Sequence, residues 1–428
     1  VNSSVLINPQ ALRVGMYIQL EVGWMRHPFP VNSFRIASDS QLQTVQALGL
    51  DAIRYFPDRS DIVASEAADA GIADAVSDAH ATIDARVEAQ QLPAPASDAA
   101  APEPEAAPAR SAQRWQCCDA RYRAAAQDYL QLQANAATEP AQAMARAGAM
   151  VQSYLQDVLP TGDLVIRLLS ETSGNRQAEH PINVTVLSLL LGKALGMGAA
   201  QLQELGMAAL LHDIGKDSAP GAPLPTRAQY ERHVGDSVAL AMGMGASSEV
   251  LTAIAQHHEF ADGSGFPLHL IDEDLSPAGK VLCLVNAYDR QCNPEHAQTG
   301  QTPHEALSAL YSQQRERFDA VMLRAFIRMM GVYPPGSVVQ LADGRYAMVV
   351  SVNSSRPLKP EVLVYDASVP AALAQPLDLE KCAGISIRRS LRLDQLPREV
   401  LSYLSPRQRI CYFFERAVEP GNAQAGAA

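Results

Sequence analysis

Apolar residues recur at helical spacing through most of the middle of the chain. From residue 161 to 331 the period is helical throughout. Ile182–Leu195, Ala200–Leu211, Ala228–Met242, Ser248–His258, Lys280–Tyr288 and His304–Met330 carry the stripes. In front of them, Tyr122–Ala137 and Ala141–Leu159 read as helices that pack on this unit, the second ending before Pro160. Strand-type patterning is confined to the ends. Val14–Leu20, Ser33–Ile36 and Asp51–Tyr55, with a helical stretch at Gln41–Leu48, predict a compact front module. Behind Tyr333-Pro334-Pro335-Gly336, strands are predicted at Ser337–Leu341, Arg345–Val352, Glu361–Tyr365 and Ile385–Arg389, with Asp343-Gly344 as a hairpin turn.

The pattern predicts a multidomain, mainly α protein. Residues 1–60 form a small strand-containing domain. Residues 61–111 are an Ala/Pro/acidic linker too poor in apolar side chains to offset the entropy of ordering. Residues 112–331 are an all-α bundle, 332–418 a small β-rich appendage, and 419–428 a disordered Gly/Ala tail. Trp24 and His27-Pro28-Phe29 read as aromatic core of the front module rather than as a binding site.

At 428 residues, two or three domains are expected, and a hydrophobic fraction of 47% is ample for their cores. The net charge of −12 argues against an electrostatic nucleic-acid binder. Six cysteines without a C-x-x-C spacing argue against zinc ribbons and disulfide scaffolds. The most apolar stretch, Val184–Met197, is broken by Lys193, so no membrane span is expected. A cytoplasmic protein without a signal peptide is the reading these features give.

The candidate chemistry lies in the histidines. Of 10 in the chain, five fall between 180 and 258: His180, His212, His233, His257 and His258. His212 precedes Asp213 at the end of an apolar run, and Ile214-Gly215-Lys216 follows. His257-His258-Glu259 is followed by Asp262-Gly263-Ser264-Gly265-Phe266-Pro267. Isolated histidines are usually core or surface residues, but scattered ones have no reason to bunch. Imidazole with carboxylate is the ligand set of a hydrolytic divalent-metal site.

These blocks, in this order, resemble the HD-GYP family, a branch of the HD metal-dependent phosphohydrolases. Its members resemble one another in HD-x-G-K, a later lone His, and HHE-x-x-DG-x-G-Y-P. The resemblance covers about residues 165–330. Val14-Gly15-Met16-Tyr17 and Trp24–Phe29 resemble an uncharacterised N-terminal domain that often precedes HD-GYP domains.

The resemblance implies bacterial signal transduction by a cyclic-di-GMP phosphodiesterase, which yields pGpG or GMP through a metal-bridging hydroxide. It implies two divalent ions, Fe or Mn first, with Zn, Ni or Mg as alternatives. Asp213 would bridge them; His180, His212 and Asp213 would hold one, and Asp213, His233, His257 and His258 the other. Lys216 would steady a phosphate or the leaving oxygen. The loop of Asp262, Gly263, Gly265, Phe266 and Pro267 would govern substrate access and dock a signalling protein.

The chain departs from the pattern at several points. Phe266 stands for the family's Tyr. The family's D-x-[FY]-D-A reads Asn286-Ala287-Tyr288-Asp289-Arg290, so Asn286 takes a ligand position with a neutral, weaker donor. Basic residues expected after this helix are replaced by Cys292-Asn293-Pro294-Glu295-His296, leaving Arg290 as the nearby phosphate clamp. Asn175 and Arg176 stand where some members carry a Glu for a third ion, so two ions at most are expected. These departures sustain a second reading, a degenerate HD-GYP protein that works as a signalling interaction module with weak or no catalysis.

Overall fold

The computed structural model describes residues 4–20, 33–36, 42, 45–46, 50, 52–57, 60, 106–169, 176–216, 226–295, 300–354, 356–382, 384–406 and 409–416. Trp24, His27-Pro28-Phe29, almost all of the 61–111 stretch, and 419–428 lie outside the described residues. Two compact units divide the chain, Val1–Pro102 and Glu103–Ala428.

In the first unit, β1 (Val5–Ile7), β2 (Tyr17–Gln19), β3 (Ser33–Arg35) and β4 (Ile53–Tyr55) form an antiparallel sheet in the order β1-β4-β2-β3. Leu12, Ile18, Leu20, Ile36, Val45 and Ile53 close its core. The strand Val5–Ile7 was not expected from the pattern; at three residues it is too short to show a period.

The second unit opens with α1 (Ala106–Asn135) and α2 (Pro140–Val158), followed by a strand, β5 (Leu164–Leu168). This strand corrects the expectation of helix throughout 161–331. A five-residue run, LVIRL, buried on both faces has no alternation to separate it from a buried helix segment. Helices α3 (Arg176–Ala194), α4 (Ala199–Leu211), α5 (Arg227–Gly243), α6 (Ser248–Gln256) and α7 (Pro277–Cys292) follow. Thr226 caps α5, Ser247 caps α6 and Ser276 caps α7, each accepting from a backbone N–H of the first turn. The stretch His304–Met330 is two helices, not one: α8 (Pro303–Ser312) and α9 (Ala320–Met330). Asp319 starts α9 by accepting from Val321 N and Met322 N.

Beyond α9 come β6 (Val338–Leu341), β7 (Tyr346–Asn353), β8 (Glu361–Val364), β9 (Pro376–Asp378), β10 (Ile387–Leu391), α10 (Arg398–Leu404) and β11 (Tyr412–Arg416). The sheet runs β10-β6-β7-β5-β11, and β8 and β9 extend it from β7. Because β5 lies between β7 and β11, the sheet joins the two sides of the expected boundary at 331/332. Within it, the buried Arg167 guanidinium pairs with Glu361 at 3.1 Å and Glu415 at 2.5 Å.

Candidate metal centre

The site is built where the ends of α4 and α6 meet α3, α5 and α7. His212 caps the C-terminus of α4, and Asp213 follows in the turn. This turn lies tight against α5. A Cβ on Gly215 would fall 2.4 Å from Ser237 N, and Gly215 N donates to Ser237 Oγ at 3.0 Å. His257 caps α6 with His258 beside it. The loop after them is held from inside. Buried Glu259 accepts from Leu268 N at 2.5 Å and Leu270 N at 3.0 Å. A Cβ on Gly265 would lie 2.4 Å from Glu259 Cα, so only glycine fits there. Asp262 accepts from Ser264 N at 3.0 Å, an Asx turn that fixes the loop. Gly263 has φ +74°, the left-handed region. Phe266 stacks on His258 at 4.5 Å between ring centroids, and Pro267 follows it.

Five imidazoles surround Asp213. Three donate from Nδ1 to the carbonyl three residues earlier: His212 to Ala209 at 2.7 Å, His257 to Ile254 at 2.6 Å, and His233 to Tyr230. A carbonyl can only accept, so each of these rings, when neutral, turns an unprotonated Nε2 inward. His180 is oriented instead by Asp289, with Nδ1 2.6 Å from Oδ2. Asp289 Oδ1 in turn accepts from Asn183 Nδ2 at 2.9 Å and Asn293 Nδ2 at 3.0 Å.

The inward nitrogens face one another. His233 Nε2 and His257 Nε2 are 3.1 Å apart, and His180 Nε2 and His212 Nε2 are 3.2 Å apart. Lone pairs at such distances repel unless a cation or proton lies between them. Buried Asp213 Oδ1 accepts no hydrogen bond and lies 3.3 Å from His233 Nε2 and 3.7 Å from His257 Nε2. Among the described residues, two groups have donor atoms close enough to share an ion: His233, His257 and His258, and His180, His212 and Asp213. The donor set therefore fits divalent metal.

Charge at the site follows from burial. Desolvation pushes His212 down to about 3, and holds His257 and His258 well below the ordinary imidazole range. They stay neutral at pH 7, as ligation requires. Burial alone would raise Asp213, but the cations of Lys216 and Arg290 outweigh it and hold the carboxyl well below its usual value.

The remaining sequence candidates Lys216, Asn286 and Arg290 are drawn in, but all three are already engaged. Lys216 Nζ lies 3.6 Å from Asp213 Oδ2 and donates to Glu295 Oε2 at 2.7 Å. Asn286 donates from Nδ2 to His257 O at 3.2 Å, and its Oδ1 accepts from Arg290 Nε at 2.9 Å. Arg290 Nη2 also donates to Asp213 Oδ2 at 2.9 Å. Asn175 lies outside the described residues, as does the side chain of Arg176.

Sequence reasoning missed Tyr230. Its ring lies 5.4 Å from Lys216 Nζ and 5.7 Å from the Arg290 guanidinium, and its hydroxyl 3.4 Å from His258 Nε2. Burial pushes this phenol up to about 12, so it keeps its proton. Its place three residues before His233, one helical turn, was the available signal.

Comparison with known proteins finds relatives for both parts of the chain. Residues 163–322 match the HD domain model, and residues 4–158 match a domain of unknown function, DUF3391. That second match runs well past residue 60, through α1 and α2. Among curated proteins, the chain is 27% identical over 231 residues to a cyclic di-GMP phosphodiesterase of Pseudomonas aeruginosa, covering 52% of this chain and 56% of that protein. It is 24% identical over 205 residues to a cyclic di-GMP phosphodiesterase of Borreliella burgdorferi, covering 45% and 53%. The chain thus spans about half the length of these curated relatives. Among solved structures, an HDG"Y"P protein from Bdellovibrio bacteriovorus superposes with a TM-score of 0.36 at 16% identity, covering 76% of this chain and 98% of that one. That superposition is too loose to carry an argument.

Proposed function

We propose that this chain, which belongs to the HD-GYP family, is a metal-dependent phosphodiesterase that hydrolyses cyclic-di-GMP to pGpG or GMP. The observation that carries the reading is Asp213 among five inward-facing imidazoles, with Oδ1 buried and accepting no hydrogen bond. When bound, divalent ions at such a site supply Lewis acidity toward phosphate oxygens and a water nucleophile at neutral pH. The chain's own residues do the rest. His233, His257 and His258 would hold metal on one side and His180, His212 and Asp213 on the other; Asp213 reaches both, with Oδ1 3.3 Å from His233 Nε2 and Oδ2 3.6 Å from His180 Nε2. Lys216 offers a fixed positive charge to a phosphate oxygen, and Tyr230 a protonated hydroxyl. The dinucleotide as substrate is supported by the names of the matched relatives.

The functional unit spans both 112–331 and 332–418. Ile410 O accepts from Asn183 and Asn293 at 2.8 Å each, the same amides that hold Asp289 behind His180. The loop from Asp262 to Pro267 is proposed to admit substrate and dock a signalling protein; Leu268 and Ile271 beside it are exposed apolar side chains. All six cysteines are unpaired, in keeping with action in the cytoplasm. No helix among the described residues is long and apolar enough to cross a membrane.

One observation favours the second reading, an interaction module without strong catalysis. Glu295 already engages Lys216 and lies 3.7 Å from Arg290, so the cations suited to phosphate are neutralised by the chain itself. Hydrolysis of cyclic-di-GMP by the purified full chain, followed chromatographically with Mn(II) or Fe(II), decides between the readings. Turnover that vanishes in Asp213→Ala supports the enzyme. No turnover with metal bound supports the module.

A further inference from the structure

The two halves of the centre are not equivalent, and the difference lies in the two oxygens of one carboxylate. Asp213 Oδ1 faces His233 and His257 and accepts no hydrogen bond. Asp213 Oδ2 faces His180 Nε2 and His212 Nε2, each at 3.6 Å. It also accepts from Arg290 Nη2 at 2.9 Å. The oxygen that an ion between His180 and His212 would need is therefore engaged by a guanidinium, which stays charged at any working pH.

Arg290 is held there by a second bond, from Nε to Asn286 Oδ1 at 2.9 Å. The amide cannot turn over without loss, because its Nδ2 donates to His257 O at 3.2 Å. Asn286 thus presents its oxygen to Arg290. The aromatic face of Tyr230 lies 5.7 Å from the guanidinium. An oxygen on two sides and a ring nearby make a built seat for this cation.

We infer that Arg290 is the resident cation of the His180/His212 half, so that the chain carries one divalent ion, on Asp213 Oδ1, His233, His257 and His258. The inference rests on the metal-dependent reading above and revises the two-ion expectation. A second divalent ion on Oδ2 would share one carboxylate oxygen with a guanidinium at hydrogen-bond distance, and the two cations would repel. The half that keeps its ion is the one whose carboxylate oxygen is engaged by no cationic side chain and faces only imidazoles.

The test is stoichiometry on the full chain. Protein is stripped with chelator, loaded with Mn(II), freed of excess by gel filtration and assayed for metal by mass spectrometry, with circular dichroism as the check on folding. Wild type is expected to hold one ion per chain. His180→Ala should leave that value at one, and His257→Ala should take it to zero. The pair Asn286→Asp with Arg290→Ala should raise it to two. Two ions in wild type, or loss of the ion in folded His180→Ala, overturns the inference and leaves metal-dependent hydrolysis standing. No ion in wild type overturns both. One ion without hydrolysis of cyclic-di-GMP upholds the inference and removes the proposed substrate.

Discussion

Asp289 accepts from His180 through Oδ2 and from two buried amides, Asn183 and Asn293, through Oδ1. The same amides bind the backbone of Ile410, and Asn183 Oδ1 also accepts from Tyr412 N at 3.0 Å. The terminal strand β11 is thereby tied to a site histidine through side-chain hydrogen bonds. Asn183→Leu should leave the carboxylate of Asp289 and the carbonyl of Ile410 short of a donor. A stability loss of roughly 2–4 kcal/mol is expected from such a buried polar break. Urea unfolding measures it, and an unchanged midpoint would show that the tie contributes nothing.

The pH dependence of the metal-free chain follows from its buried imidazoles, His257 and His258 as well as His212, of which His212 gives the test. Its folded value, about 3, lies below the ordinary 6.5. The unfolded chain therefore binds the proton that the folded chain refuses between those limits. The resulting stability is fully present above pH 6.5 and is lost as pH falls toward 3. Thermal midpoints of chelated protein should drop steadily below pH 6.5, and His212→Gln should flatten that slope. Equal slopes in the two proteins would contradict the assignment.

Glu295 tests the phosphate-binding role of Lys216. Glu295→Gln removes a charge 2.7 Å from Lys216 Nζ and 3.7 Å from Arg290. With Glu295 one-third exposed, the pair stabilises by about 1 kcal/mol at most. Freeing Lys216 should lower KM for the dinucleotide by about threefold with kcat little changed. A raised KM would mean that Glu295 helps to bind substrate.

The site was legible where residues that act together are neighbours in sequence. His212-Asp213 and His257-His258 announce themselves, and Gly215 and Gly265 mark the close approaches to α5 and to the backbone of Glu259. What escaped depends on distant partners. Asn183 follows His180 by one turn and Asn293 follows Asp289 by one turn, but their common partner, Ile410, lies more than 100 residues away. Strand β5 escaped because a short apolar run is ambiguous until its neighbours in the sheet are known. The engagement of Asn286 was hidden for another reason: sequence reports that an amide stands there, not that Arg290 takes its oxygen.

Asp213 is proposed to carry both metal and hydrolysis. The measurement that decides this is turnover of cyclic-di-GMP by the metal-loaded full chain beside Asp213→Ala, with bound metal determined on the same samples. Metal and turnover are expected in the wild type, and loss of both in a folded Asp213→Ala variant, with activity down by roughly a thousandfold or more, on the order of 4 kcal/mol of barrier. Full metal content and unchanged turnover in Asp213→Ala would contradict that role.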